Sequence, residues 1–300
     1  MASIQIKKGP LELAGLLFKS SSSAPKSPAL VVVHPGGGVK EQTASLYAKK
    51  LAEAGFTTVC YDAAYQGASG GEPHFLEDPS ARVSDVSAVV DYLQQQDFVD
   101  PQKIAVVGIC AGGGYAATAA TRDHRLKALA TVSMVNIGDS ARLGWNGDED
   151  ASKHNASLQQ AAEQITAEVV RGASRAAAPY VPPHPDENTP YDLKEAADYY
   201  LTTRCQHPRA ENRMLIDSLP LVLTFDAFQF ADHYLKQPTL LIAGEKAGSL
   251  WHTEKLDKLI GGATKKVIVP DGTHMDFYDK LPFVDPAAKE IADFMKAKVA

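Results

Sequence analysis

Two kinds of apolar pattern alternate along the first 138 residues. Short continuous runs rich in β-branched residues are typical of strands buried on both faces of a sheet. Between them lie stretches whose apolar residues repeat at helical spacing, the clearest over residues 80–96. This alternation predicts a mostly parallel sheet with helices on both faces, preceded by a hairpin that turns at Gly9 and Pro10. The predicted strands of this region are SIQIKK, ELAGLLF, ALVVVH (29–34), FTTVCYD (56–62), KIAVVGIC (103–110) and LKALATVSMV (126–135).

The strand pattern is interrupted between residues 139 and 235 and then resumes. The elements predicted after residue 138 are helices over 158–170, 193–203 and 209–219, strands over 239–243 and 265–270, and a last helix over 286–298. We therefore predict one α/β core formed by residues 1–138 and 236–300, interrupted by a helical cap, or lid, over residues 139–235.

Composition and charge narrow the class of protein. With 45% hydrophobic and 22% charged residues, the chain has the balance of a folded globular protein. Its 30 Lys and Arg against 36 Asp and Glu give a formal net charge of −6, which does not favour binding of nucleic acid or of an anionic membrane. Three scattered cysteines do not make a disulfide framework and fit a reducing compartment. Because no apolar run approaches the ~20 residues of a membrane span and no secretion signal is evident, we expect a cytoplasmic protein.

The stretch Gly108-Ile109-Cys110-Ala111-Gly112 lies where a predicted buried strand meets the start of a helix. A nucleophile at such a junction sits on a sharp turn, and small residues two positions before and after it avoid a steric clash. The free N–H groups of the helix start favour a thiolate, so we expect a Cys110 pKa below about 8.5. The alternative is a buried structural cysteine beside glycines that only let helix and strand pack closely.

A nucleotide site is a competing interpretation of the same region. Residues 112–117, GGGYAA, fit the pattern G-x-G-x-x-A. In that type of site the strand is the first of its sheet, and a carboxylate follows about 20 residues later. Here the strand is at least the third, and residues 131–135 contain no carboxylate, so a nucleotide site is not favoured.

The loop HPGGG (34–38) directly follows the strand ALVVVH. In acyl-transfer enzymes built on such sheets, the loop at this place supplies one backbone N–H of the oxyanion hole, and the residue after the nucleophile supplies the other. These positions correspond to the backbone of Gly36, Gly37 and Ala111. The alternative is a plain glycine-rich loop, in which His34 fixes the backbone by hydrogen bonding.

His274 is the candidate general base among the nine histidines of the chain. It lies in the stretch VPDGTHMDF (269–277), after the last predicted strand and C-terminal to the nucleophile. Both the chain order and the position at the carboxyl edge of the sheet suit a general base.

The carboxylate that would orient His274 is ambiguous in the sequence. Glu245 is the first choice, since it stands in the loop after the strand TLLIA, and Asp139 and Asp276 are the alternatives. We expect the Glu245 carboxylate to hydrogen-bond one His274 ring nitrogen, with the other nitrogen facing the Cys110 sulfur.

No metal or cofactor is indicated by the sequence. His184 and Asp186 lie in a proline-rich loop without a further ligand at suitable spacing. The expected partner is a small-molecule acyl ester or thioester, free or carrier-bound, without nucleic acid or membrane, and a homodimer is left open.

Taken together, these motifs resemble the α/β-hydrolase superfamily. The segments GICAGGGYA (108–116), LLIAGEKAGSL (240–250) and DGTHMDFYD (271–279) resemble more closely the dienelactone-hydrolase-like group, which includes fungal polyketide transferases. The resemblance covers residues 1–138 and 236–300 and implies Cys110 as nucleophile and His274 as base. Ala247 departs from the group, because many members have Asp at this place.

The resemblance implies acyl transfer through a Cys110 acyl-enzyme, either as hydrolysis or as transfer to an acceptor, in secondary (polyketide) metabolism. Two alternatives are a catalytically silent binding protein and a cysteine-dependent cyclase or lyase acting on a β-keto thioester. The aromatic residues of the insertion either line a substrate pocket or form the insertion's own core. They are Tyr180, Tyr199, Tyr200, Phe225, Phe228 and Phe230.

Overall fold

The computed structural model describes residues 1–22 and 24–299. The strands are β1 (Ala2–Lys8), β2 (Leu11–Phe18), β3 (Ser27–Val33), β4 (Thr57–Tyr61), β5 (Val99–Ile109), β6 (Leu126–Val132), β7 (Ala177–Ala178), β8 (Met214–Leu215), β9 (Thr239–Gly244) and β10 (Lys265–Val269). The helices are α1 (Thr43–Glu53), α2 (Pro79–Gln94), α3 (Ala111–Arg122), α4 (Ile137–Leu143), α5 (His154–Arg171), α6 (Tyr191–Leu201), α7 (Ser218–Leu223), α8 (Ala231–Tyr234), α9 (Leu250–Leu259), α10 (Asp276–Asp279) and α11 (Leu281–Lys298).

Eight strands form one sheet in the order β1-β2-β4-β3-β5-β6-β9-β10. The β1–β2 hairpin and the β2–β4 pair are antiparallel, and all other neighbours in this sheet are parallel. The predicted fold class, a mostly parallel sheet with helices on both faces, is therefore confirmed. It places the carboxyl ends of β3, β5, β9 and β10 at one edge of the sheet, where the loops with candidate chemistry meet.

The β-branched runs form central strands because both of their faces are covered. In β3, Leu30 and Val32 pack into the core on the side of α1 and α11, whereas Val31 and Val33 pack into the core on the side of α2 and α3. Successive side chains of a strand point to opposite faces, so a strand between two helical layers must be apolar at every position.

The helix predicted over residues 209–219 is wrong. This stretch contains β8, and α7 begins only at Ser218. Asn212 has φ +51°, and its side-chain amide pairs with both the N–H and the C=O of Val181. This left-handed residue, fixed by a partner far away in the sequence, prevents a continuous helix. The last helix begins at Leu281, five residues before the predicted start at Pro286.

Residues 139–235, predicted as a cap, lie between β6 and β9, which are neighbours in the sheet. Helices α4 to α8 occupy this part of the chain, with α4 starting two residues earlier at Ile137. Within the described residues, the insertion adds no strand to the eight-stranded sheet, and β7 and β8 pair only with each other. None of the described helices has the length and apolar character needed to cross a membrane.

The junction of β5 and α3 leaves no space for a side chain at Gly108. A Cβ added there would overlap the backbone carbonyl of Gly112 and approach the Cα of Gly113 to 2.6 Å. Gly70 is a suitable control position, because a Cβ there would meet only the Glu12 backbone at 3.5 Å, an ordinary contact distance.

We predict that Gly108→Ala lowers the free energy of unfolding by about 2 kcal/mol or more, since backbone must move to accept the methyl group. Gly70→Ala should change it by less than about 0.5 kcal/mol. Urea denaturation followed by circular dichroism measures both. Equal unfolding midpoints for the two variants would show that the junction is not tightly packed.

Candidate active site

Cys110 occupies the sharp turn between β5 and α3. Its backbone has φ 54° and ψ −126°, a conformation that is strained for a residue with a side chain. The turn is held to β6 and to the loop after it, because the Cys110 N–H donates to Val132 O (3.0 Å) and the Cys110 carbonyl accepts from Val135 N–H (2.9 Å). The side chain is partly exposed, and it borders a cavity.

The Cys110 sulfur lies near several hydrogen-bond donors and is also influenced by the positive charge of Arg82. Burial raises the pKa of the thiol above its usual value near 9, although the Tyr278 hydroxyl and the backbone N–H groups of Ala111 and Gly36 act in the opposite direction. The expectation of a lowered pKa is therefore wrong. The start of α3 contributes one N–H group to the sulfur. However, removing the thiolate from water destabilises it more than the nearby hydrogen-bond donors stabilise it.

His274 lies in the loop between β10 and α10 and is almost completely buried. Its Nδ1 is 2.6 Å from Ser249 Oγ, and its Nε2 is 3.2 Å from the Tyr278 hydroxyl. Burial lowers the pKa of His274 from 6.5 to about 4, against the opposing effect of Asp192 and Glu195. The imidazole is therefore neutral at physiological pH and can accept a proton.

The Tyr278 hydroxyl takes the position expected for the Cys110 sulfur. It is the hydrogen-bond partner of His274 Nε2, and it is close enough to Cys110 to influence the pKa of the thiol. The structure thus brings Cys110 and His274 to one site, as expected, but with a tyrosine oxygen as the partner of the imidazole.

None of the three candidate carboxylates contacts the His274 ring. Glu245 is exposed, and its carboxylate accepts from Asp271 N–H (3.3 Å) in a surface turn. The first choice of acid is therefore wrong, because the β9–α9 loop turns this side chain away from the site. Asp139 accepts from Arg142 and Lys255, and Asp276 accepts from Thr273 N–H and Lys280 Nζ. Both alternatives are wrong for the same reason: their oxygens are engaged elsewhere.

Two residues that the sequence analysis missed hold His274 in place. Ser249, at the end of the loop after β9, is the partner of Nδ1. Asp192, in the first turn of α6, is buried and accepts from His274 N–H (3.2 Å), Gly248 N–H (2.7 Å) and Trp145 Nε1–H (2.9 Å). The Asp192 carboxylate, which belongs to the insertion, thereby connects the His274 loop, the β9–α9 loop and the turn that follows α4. Ser249 could have been found as a polar residue in the expected loop, but nothing in the sequence near Asp192 pointed to this role.

The glycine-rich loop after β3 is supported by a buried polar network. Arg82 donates from Nη2 to the carbonyls of His34 (3.0 Å) and Pro35 (3.3 Å). Its Nε lies 3.4 Å from Glu77, which also accepts from the Tyr180 hydroxyl (2.6 Å). His34 bridges the loop to the Ala63 N–H, as expected of a residue that fixes the backbone.

Gly37 needs to be glycine for two reasons. Its φ is +68°, and a Cβ there would come within 2.8 Å of the Tyr180 ring, which covers the loop. Gly36, one residue earlier, directs its N–H towards the Cys110 sulfur together with Ala111. Two backbone donors from different loops therefore converge beside one sulfur atom.

A cavity of about 290 Å³ opens above Cys110, at the small end of the range of ligand sites, roughly 300–1,000 Å³. Its floor includes Gly36, Cys110, His274 and Tyr278, and its remaining walls come largely from the insertion. The insertion residues at the cavity are Ser140, Trp145, Tyr180, Val181, Leu193, Ala196 and Tyr200.

Some aromatic residues of the insertion line the cavity, and others are packed in the protein core or exposed. Tyr180 and Tyr200 line the cavity. Phe225 and Phe228 pack into the core on the side of α3, and Phe230 is exposed. Tyr199 is buried behind Tyr200.

Comparison with known proteins identifies the family. Residues 13–134 match the dienelactone hydrolase family. The protein YcjY of Escherichia coli strain K12 is 43% identical over 269 residues, which cover 89% of this chain and 88% of YcjY. The chain belongs to the dienelactone hydrolase family.

Solved structures of similar proteins share the fold over 99% of this chain. The crystal structure of the hypothetical protein PA2218 from Pseudomonas aeruginosa has a TM-score of 0.91 and 29% identity, and covers 99% of this chain and 93% of that one. The α/β-hydrolase GrgF from Penicillium has a TM-score of 0.82 at 23% identity, and the match covers 99% of this chain and 98% of GrgF. In sequence, the polyketide transferase GrgF is 25% identical over 236 residues, or 78% of this chain and 75% of GrgF.

Membership of the dienelactone hydrolase family and the α/β-hydrolase fold make this protein an enzyme of the hydrolase or acyltransferase type. The alternative of a catalytically silent binding protein is thereby set aside. In the described part of this family member, no three His, Cys, Asp or Glu side chains are grouped so as to hold a metal ion. Asp186 accepts hydrogen bonds from its own exposed loop.

For this dienelactone hydrolase family member, we predict that Ser249→Ala lowers kcat/KM for p-nitrophenyl acetate by about tenfold or more, because it removes the only side-chain partner seen at His274 Nδ1 in the described residues. Glu245→Gln should leave kcat/KM within about twofold of the parent value, since its carboxylate is at the surface. Release of p-nitrophenolate measures both. A larger loss in Glu245→Gln than in Ser249→Ala would contradict the observed arrangement.

Proposed function

We propose that this protein transfers acyl groups through a thioester on Cys110, with His274 as general base. The observation that carries the proposal is the convergence of three features at the floor of one cavity. These are a strained nucleophile turn, two backbone N–H groups beside the sulfur, and a neutral imidazole that lines the same cavity.

The reaction begins with a neutral thiol and a neutral imidazole. The thiol proton leaves Cys110 and ends on His274 Nε2, while the sulfur attacks the carbonyl carbon of the substrate. In this proposal the backbone N–H groups of Gly36 and Ala111 donate to the oxyanion, an interaction worth roughly 3–4 kcal/mol per donor in a comparable hydrolase. When the tetrahedral intermediate breaks down, His274 returns its proton to the leaving oxygen or sulfur.

In the second half-reaction, water or an acceptor alcohol or amine replaces the leaving group. His274 removes a proton from this nucleophile, which attacks the thioester carbonyl, and the Cys110 sulfur leaves and regains its proton. Because His274 has a pKa of about 4, this base remains competent well below neutral pH and is lost only as the pH falls through about 4.

The cavity supports a small uncharged acyl group as substrate. No Asp, Glu, Lys or Arg is among the described residues that line it, and its walls include Trp145, Tyr180 and Tyr200. A charged acyl group would lose its water without gaining a counter-ion. The insertion over residues 139–235 acts as a lid in this proposal, because it provides these aromatic walls. A role in polyketide metabolism stays a prediction, supported by the name of the relative GrgF.

The test is covalent labelling with p-nitrophenyl esters and acyl thioesters of increasing length, followed by intact-mass measurement and peptide mapping. We predict one added acyl group on Cys110, with short uncharged acyl groups preferred. Cys110→Ala should form no adduct and should remain folded, since alanine fits the turn, whereas Cys205→Ala serves as the control and should be labelled normally. Turnover at the parent rate in Cys110→Ala would overturn the proposal.

A further inference from the structure

The Tyr278 hydroxyl lies at the same cavity as the two groups that must exchange a proton. It is 3.2 Å from His274 Nε2, and it is close enough to Cys110 to affect the pKa of the thiol. The Cys110 sulfur is the atom that loses the proton, and His274 Nε2 is the atom that receives it. In the structure, the Nε2 of the base is hydrogen-bonded to the tyrosine and the thiol has the same tyrosine as a neighbour.

The position of this hydroxyl is fixed by packing. Tyr278 lies in α10, and its N–H donates to Met275 O (3.1 Å), which ties it to the residue directly after His274. Its ring is 2% exposed and contacts Tyr199 at a centroid distance of 5.2 Å and Tyr200 at 6.3 Å, both edge-on. A buried ring held on two sides in this way keeps its oxygen at the site.

The hydrogen-bonding capacity of the phenol matches its three polar neighbours. A tyrosine hydroxyl donates one hydrogen bond and accepts two. Its neighbours are His274 Nε2, the Cys110 sulfur and the Tyr200 hydroxyl. With the imidazole proton on Nδ1, donated to Ser249 Oγ, Nε2 is an acceptor and takes the Tyr278 proton. The thiol and Tyr200 can then both donate to the Tyr278 oxygen.

We propose that Tyr278 is a catalytic residue that relays the thiol proton from Cys110 to His274. The S–H bond of Cys110 breaks and its proton forms a bond to the Tyr278 oxygen, while the proton already on that oxygen moves to His274 Nε2. The products are a thiolate, a neutral tyrosine and an imidazolium, so charge and protons balance. The reverse exchange reprotonates the sulfur when it leaves the acyl group.

The two transfers occur together because a tyrosinate is unfavourable here. Burial raises the pKa of Tyr278 well above its usual value of 10, and the neighbouring Cys110 sulfur adds to this effect. The hydroxyl therefore accepts one proton only as it gives up the other. This inference rests on the proposed function of Cys110 and His274 and adds a named step to it.

The test compares Tyr278→Phe with Tyr199→Phe. Both variants remove one hydroxyl from a buried ring, but the Tyr199 hydroxyl faces away from the sulfur and accepts from Thr43 N–H (3.1 Å). The measured quantity is the rate of the p-nitrophenolate burst, which reports acylation of Cys110. We expect Tyr278→Phe to slow the burst by about 10²-fold or more with little change in substrate affinity, and Tyr199→Phe to stay within about threefold.

A second measurement uses the unsubstituted protein and does not depend on the folding of a variant. The burst rate in mixtures of H₂O and D₂O should show that more than one proton moves in the acylation step. A single moving proton, or a Tyr278→Phe variant that folds and acylates at the parent rate, would overturn the relay. Acyl label on Cys110 in the same samples would show that the proposed function stands even then, whereas label elsewhere would overturn both.

Discussion

Desolvation of the Cys110 thiol and of the His274 imidazole is the constraint on which the rest of the site depends. A thiolate and an imidazolium are both costly in this site, so the thiol pKa is raised and the His274 pKa is lowered to about 4. The site therefore rests as a neutral pair joined by polar groups without net charge. Its catalytic power must come from donors that act when charge develops: the N–H groups of Gly36 and Ala111 and the hydroxyl of Tyr278.

The enclosure is built by two parts of the chain that depend on each other. The core provides the strained turn at Cys110 and the loop that carries His274. The insertion closes the cavity with Tyr180 and fixes the His274 loop through Asp192, whose carboxylate accepts three N–H groups. Tyr180 in turn is anchored to the core by the buried Glu77. A change in the insertion therefore alters both the shape of the cavity and the position of the base.

The sequence was sufficient where the determining interactions are local. Continuous apolar runs predicted the central strands, and glycine spacing predicted the turn at Cys110, because overlap at Gly108 involves residues only four positions away. Long-range contacts could not be predicted from the sequence. Asp192 accepts a hydrogen bond from His274 N–H, 82 residues away, and no local sequence pattern indicates this contact. The assignment of Glu245 failed because its side-chain direction depends on the turn with Asp271, and the thiol pKa was misjudged because burial comes from the whole fold.

The protonation state of His274 tests this account most directly. Nitrogen-15 NMR of the histidine-labelled protein, with the His274 signals assigned from a His274→Gln variant, reports the tautomer and the pKa of the imidazole. We expect a neutral ring with its proton on Nδ1 from pH 5 to 8, and titration near pH 4. A doubly protonated His274 at pH 7, which disappears when Cys110 is replaced by alanine, would instead show a preformed thiolate–imidazolium pair and would contradict it.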